Sequence, residues 1–78
     1  MYVKSIGSNM IEVNVRDARI LVSYANPVAF ERDGVCYKTD KRWSSTTSKH
    51  ISKWLNGRRA TSVPQHELDS LLELRRTA

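Results

Sequence analysis

The chain has 78 residues, 40% of them hydrophobic and 27% charged, with a formal net charge of +5. A chain this short is a single domain, 1–78, that buries only about 60% of its unfolded surface, so large apolar residues belong first of all to the core. No apolar run approaches the roughly 20 residues of a membrane span, the lone Cys36 cannot form an internal disulfide, and one Cys with two separated His residues does not make the usual four-ligand zinc site.

The segment Met1-Tyr2-Val3-Lys4-Ser5-Ile6-Gly7 has no apolar signal core, which predicts a protein that stays in a reducing cytosol. Residues 2–6 read as an edge strand that turns at Gly7-Ser8-Asn9. Ile11, Val13 and Val15 then alternate with polar residues, as do Ile20, Val22 and Tyr24, the period of a half-buried strand. A four-residue loop, Arg16-Asp17-Ala18-Arg19, would oppose Val15 to Ile20, Val13 to Val22 and Ile11 to Tyr24. The even-numbered phase continues past Asn26-Pro27 into Val28 and Phe30, which reads as a bent or bulged strand pair. Asp33-Gly34 is the preferred centre of a two-residue hairpin turn. It opposes Arg32 to Val35, Glu31 to Cys36 and Phe30 to Tyr37, with Cys36 on the face away from the aromatic pair.

From Trp43 the period changes to that of a helix. Thr47, Ile51, Trp54 and Leu55 form one stripe, with Lys49, Ser52, Lys53 and Asn56 opposite. Ser44 to Thr46 offer N-cap oxygens and Gly57 a left-handed stop, giving a helix of about 46–56 within the segment 44–57. Ser62-Val63-Pro64-Gln65 has the form of a capping box opening a second helix, 62–76, with Leu68, Leu71 and Leu72 as its stripe and Arg75 and Arg76 at its end. The expected fold is therefore α+β: a four- or five-stranded antiparallel sheet of two hairpins over 1–43, then two C-terminal helices packed on one face.

The charge is concentrated in one segment. Residues 38–59 carry Lys38, Lys41, Arg42, Lys49, Lys53, Arg58 and Arg59 against Asp40 alone. Lys49 and Lys53 share a helical face, and the others bracket the helix at both ends. Cations lining a surface are what phosphate binding requires, and the hydroxyls of residues 44–47 stand at a positive helix N-terminus. Trp43, between Arg42 and Ser44, either staples the helix to the sheet or offers a platform for a nucleobase. Catalytic signals are weak by contrast. Nothing pairs Cys36 with His50 or His66, and Glu67, Asp69 and Glu73 are spaced as a solvated helix face. The three glycines are scattered and form no phosphate loop.

Two resemblances carry further expectations. Ile51-Ser52-Lys53-Trp54-Leu55-Asn56-Gly57-Arg58-Arg59, followed by Leu68, Leu71 and Leu72, resembles the latter part of a repressor-type helix-turn-helix domain, although strands stand where that family has its first helices. The resemblance implies Ser48, Lys49 and Ser52 at base edges and Arg58 and Arg59 on the backbone. More of the chain is similar to a family of small, uncharacterised proteins of tailed bacteriophages. The similarity covers Met1–Gly7, Ile20-Leu21-Val22-Ser23-Tyr24, Pro27-Val28-Ala29, Trp43-Ser44, Thr46-Thr47-Ser48-Lys49-His50-Ile51 with Lys53-Trp54-Leu55, and Val63-Pro64-Gln65. It implies a phage or prophage product acting in the bacterial host cytoplasm.

The expectation is thus a non-catalytic binding protein without cofactor or metal. It is a monomer or homodimer and has no membrane partner. Lys38, Lys41, Arg42, Trp43, Lys49, Lys53, Arg58 and Arg59 would contact DNA or RNA. The alternative is a phage-encoded inhibitor, of CRISPR or RNA-polymerase type, that docks the same patch on a host protein complex.

Overall fold

Two runs in the middle of the chain, Ile20-Leu21-Val22 and Val28-Ala29-Phe30, are apolar at every position, and all six residues are buried. Strands covered on one face alternate; strands covered on both read as continuous apolar runs. The computed structural model, which describes residues 2–15 and 17–77 with side chains as far as residue 71, shows such a sheet. Strands β1 (Tyr2–Gly7), β2 (Met10–Val15), β3 (Ala18–Ser23), β4 (Asn26–Arg32) and β5 (Val35–Thr39) follow one another, then helix α1 (Ser45–Leu55), strand β6 (Ala60–Val63) and helix α2 (Gln65–Thr77). The sheet order is β1-β2-β3-β4-β5-β6, so the two continuous runs lie on its central strands.

The fold is α+β, and the helices flank the sheet from opposite sides. One core holds Met10, Leu21, Val28, Ala29, Cys36, Trp54 and Leu55, with Ile51 and Trp43 packed against it; this is the α1 layer. The other holds Val13, Ile20, Val22, Phe30 and Leu68, with Tyr37 and Leu71 against it; this is the α2 layer. Ile20 and Leu21 are chain neighbours on a strand, so their cores lie on opposite faces. The expected packing of both helices on one face is therefore corrected. Leu21, Ala29 and Cys36 need cover as much as Ile20 and Phe30 do.

β6 separates the helices and was not expected. It runs parallel to β5, with Cys36 opposite Ala60 and Thr39 opposite Val63. Parallel neighbours need a crossover connection, and α1 is that connection. Ser62 accordingly lies in β6 and does not cap α2, whose first turn begins after Pro64. A strand and a sheet between α1 and α2 also exclude the helix-turn-helix arrangement. The side chains of Leu72, Glu73, Arg75 and Arg76 lie outside the described residues, as does Arg16.

The remaining pairs are antiparallel. The Asp33-Gly34 hairpin has the expected register, Phe30 opposite Tyr37 and Glu31 opposite Cys36, and the two aromatic rings stack at 4.5 Å. β1 is an edge strand, as expected. The first hairpin is shifted by two residues, with Val13 opposite Ile20 and Ile11 opposite Val22. The tighter turn leaves every side chain on its expected face, because a strand repeats every two residues. Tyr24 leaves the sheet altogether. It forms a two-residue turn with Ala25 between β3 and β4, and the register shift between Leu21 and Val22 makes Val28 the extra residue of a bulge beside Pro27.

Candidate nucleic-acid interface

Helix α1 is fixed at both ends by its own sequence. The Ser44 hydroxyl accepts from the Thr47 N–H at 3.2 Å, the N-cap expected there. At the other end Asn56 and Gly57 both take left-handed conformations, φ 50° and 85°. Arg58 completes this end. Its Nε donates to the Leu55 carbonyl at 2.8 Å and its Nη2 to the Trp54 carbonyl at 2.9 Å. Its Nη1 donates to Glu31 at 2.9 Å, and the guanidinium lies over the Trp54 ring. Arg19 shares the Glu31 carboxylate. Arg58 is therefore a helix-terminating group engaged by three carbonyl or carboxyl partners, and it leaves the expected phosphate-binding set.

The inward face of α1 is tied to the sheet by polar contacts as well as apolar ones. Trp54 Nε1 donates to Glu12 Oε1 at 2.9 Å in the interior, and Asn14 donates to the same carboxyl at 3.2 Å. Burial pushes the Glu12 carboxyl up, but these two hydrogen bonds and the nearby charges of Arg19 and Lys4 outweigh it and leave the group below the ordinary value. Higher on the helix, the Ser23 hydroxyl hydrogen-bonds His50 Nδ1 at 2.8 Å and lies 3.3 Å from the Thr47 hydroxyl. A Ser–His contact invites a catalytic reading. Ser23, however, is 1% exposed, and a nucleophile must be reached by its substrate. The cluster anchors α1 on β3. Cys36 is likewise buried in the α1 core.

The outward side carries the charge. Lys49 and Lys53 are exposed, one turn apart, on the side of α1 away from Ile51 and Leu55. Lys38 projects from the same face of the sheet as Cys36, two residues earlier. With Lys41, Thr39, Ser48, Ile51 and Ser52 it lines a cleft of about 180 Å³ between β5 and α1. Arg42 is exposed in the approach to α1, and Arg59 is exposed between α1 and β6. Among the described residues the ion pairs are Arg19–Glu31, Arg32–Asp17 and Arg58–Glu31. Lys38, Lys41, Arg42, Lys49, Lys53 and Arg59 take part in none of them.

Trp43 resolves toward the staple. It is half-buried against the α1 core, its Nε1 donates to Gln65 Oε1 at 3.3 Å, and Lys41 Nζ sits 4.2 Å from the ring centroid. Gln65 is the hub here. It also accepts from Thr39 at 2.6 Å and donates to the Pro27 carbonyl at 2.7 Å and to Asp69 at 3.1 Å. One amide side chain thus joins the starts of β4 and α2 to the end of β5.

An exposed aromatic does stand against α1, and it is Tyr24. The residue is 48% exposed, and its ring stacks on His50 at 5.7 Å. The alternation Ile20, Val22, Tyr24 predicts a strand position for it, opposite Ile11. Asn26-Pro27 just beyond was the available turn signal.

These features define a three-layer α+β protein with one face whose helix is anchored by buried polar contacts and whose outer surface is cationic. Among the described residues no helix is long and apolar enough to cross a membrane. The chain belongs to a family of unknown function, DUF8033, whose model matches residues 1–70. No curated protein and no solved structure matches it.

Proposed function

We propose that this protein is a non-catalytic nucleic-acid-binding module that uses the α1 face, inside a bacterial cell infected by or carrying the phage that encodes it. The observation that carries the reading is the set Lys38, Lys41, Arg42, Lys49, Lys53 and Arg59. All six lie on or around one helix, and none is ion-paired among the described residues. Surface cations of a purely solubilising kind are interspersed with acids; here Asp40 is the one acid in the segment. Each phosphate neutralised by such a group releases a counterion, so affinity falls with salt. Ser48 and Ser52, on the cleft with Lys38 and Lys41, add hydroxyl donors to phosphate oxygens.

The test is a salt titration of binding to labelled oligonucleotides. The expected log–log slope is about −0.7 to −0.9 per phosphate contacted, and the variant Lys49→Glu/Lys53→Glu flattens it by about two. A slope near zero, or a slope unchanged in that variant, overturns the reading. A parallel pull-down from bacterial lysate, with and without nuclease, separates it from an inhibitor docked on a host complex. A stoichiometric protein partner that survives nuclease supports the inhibitor.

A further inference from the structure

We infer that Tyr24 is the base-stacking residue of the α1 face and that the ligand is single-stranded; this rests on the nucleic-acid reading above. The argument begins with the backbone. Tyr24 and Ala25 form the β3–β4 turn with φ 50° and 69°, both in the left-handed region. Two-residue turns of this kind favour Asn-Gly or Asp-Gly, because side chains other than those of Asn and Asp rarely adopt such angles. The same sheet makes its β4–β5 turn with the favoured pair, Asp33-Gly34. The fold therefore accommodates the unstrained solution at one hairpin and carries the strained one at another. Strain of this sort persists where the surroundings hold it, and it gathers at functional sites.

The surroundings do hold it. The Tyr24 N–H donates to the Asn9 carbonyl at 3.1 Å and Asn26 Nδ2 donates to the Tyr24 carbonyl at 3.2 Å. The ring lies against His50, interplanar angle 25°, and His50 is itself fixed through Nδ1 to the buried Ser23. The result is a large aromatic at a turn tip, half-exposed and pre-oriented by its neighbours. Lys53, three residues on, neighbours His50 on the surface of α1, and Lys49 follows one turn behind Lys53, so the stacked pair stands at the end of a row of two cations without ion-pair partners among the described residues. An aromatic face beside a track of cations is the arrangement that holds unpaired bases and their phosphates. A duplex keeps its bases stacked on one another and offers none to a turn-borne ring. The other candidate ring, Trp43, already has Lys41 over its face and Gln65 on its N–H.

The experiment measures anisotropy of labelled 12-nucleotide oligodeoxyuridylate, oligouridylate and a 12-base-pair DNA duplex against the full chain, together with melting temperatures. Either single strand is expected to bind at least tenfold more tightly than the duplex, and the stronger of the two names the sugar. Tyr24→Phe keeps this affinity, and Tyr24→Ala lowers it about tenfold. The decisive variant is Tyr24→Asn/Ala25→Gly. It installs the favoured turn pair, and it is expected to raise the melting temperature while losing the same tenfold. A higher-melting variant that binds like the parent overturns the inference and leaves the nucleic-acid reading standing. Equal binding of duplex and single strand does the same. A lower melting temperature overturns the argument from strain, and hence the inference. Absence of binding to every oligonucleotide overturns both.

Discussion

Helices α1 and α2 cover opposite faces of one sheet, and they are held by different chemistry. Under the body of α2 the contacts are those of an ordinary core, where Leu68, fully buried, sits among Val13, Ile20, Val22 and Phe30, and its polar ties to Thr39, Trp43 and Pro27 are gathered at its first residue, Gln65. Under α1 the core is interrupted by polar links, Trp54 to Glu12 and His50 and Thr47 to Ser23. Hydrophobic packing is tolerant of small rotations and slides, whereas a buried hydrogen bond fails within a few tenths of an ångström and leaves a desolvated group behind. The outer surfaces differ in parallel: Lys49 and Lys53 on α1, Glu67 and Asp69 on α2. The helix whose exposed face is cationic is also the one with buried polar ties along its length, at Thr47, His50 and Trp54. The difference teaches that α1 is fixed at several points along its length and α2 by one apolar anchor and its first residue.

That contrast can be broken at several points. The largest effect belongs to α2. Leu68→Ala removes a fully buried side chain and is expected to lower the unfolding free energy by about 3 kcal/mol, within the roughly 2–5 seen for such truncations. Oligonucleotide affinity of the folded fraction stays unchanged. Chemical denaturation and anisotropy check the two halves of this statement, and a loss of affinity in folded protein would merge the two faces into one. Next is Trp54→Phe, which keeps most of the ring and leaves the Glu12 Oε1 without its donor. It is expected to lose about 1–3 kcal/mol.

The same variant sharpens the comparison through pH. Glu12 is held below its ordinary value when folded, so its contribution is present above the unfolded value of about 4.3 and is lost as pH falls through the lower folded value. Without the Trp54 hydrogen bond the folded value rises, and acid unfolding begins at higher pH. An acid transition at the same pH in parent and variant would remove Glu12 from the account. Gln65→Ala unties Thr39, Trp43 and the Pro27 carbonyl together, for an expected loss of about 1–2 kcal/mol in thermal or urea unfolding. The smallest stability effect belongs to Lys49→Ala/Lys53→Ala, within about 0.5 kcal/mol of the parent, and under the proposed function this pair is expected to weaken oligonucleotide binding.

How far the sequence disclosed this molecule follows from the kind of signal each part carries. The Asp33-Gly34 hairpin was legible to the residue because a turn pair and two alternating flanks agree. The α1 boundaries were nearly so, from the hydroxyls of Ser44 to Thr46 at one end and Gly57 at the other. The layering was misread because alternation in Ile11, Val13 and Val15 was extended to the whole sheet, while Ile20-Leu21-Val22 already announced cover on both faces. β6 escaped because four residues, two of them the exposed Thr61 and Ser62, carry too short a pattern, and Ser62-x-x-Gln65 offered a competing helix start. In the site, charge was legible and engagement was not. Nothing in the string Gly57-Arg58-Arg59 tells which arginine turns back on α1. Tyr24 was invisible as a surface residue, since its spacing from Ile20 and Val22 matches a strand and only the unfavoured turn removes it.

The burial of Cys36 has a practical consequence. It is the chain's one thiol, and it lies beneath α1 at 4% exposure. An alkylating reagent meets it when α1 lifts from the sheet or when the whole domain opens, and the labelling rate becomes a clock for that opening. Read alongside global unfolding, the clock reports whether α1 detaches alone or only with everything else. Ligand held across the helix would slow it, which gives a footprint of occupancy that needs no label on the nucleic acid.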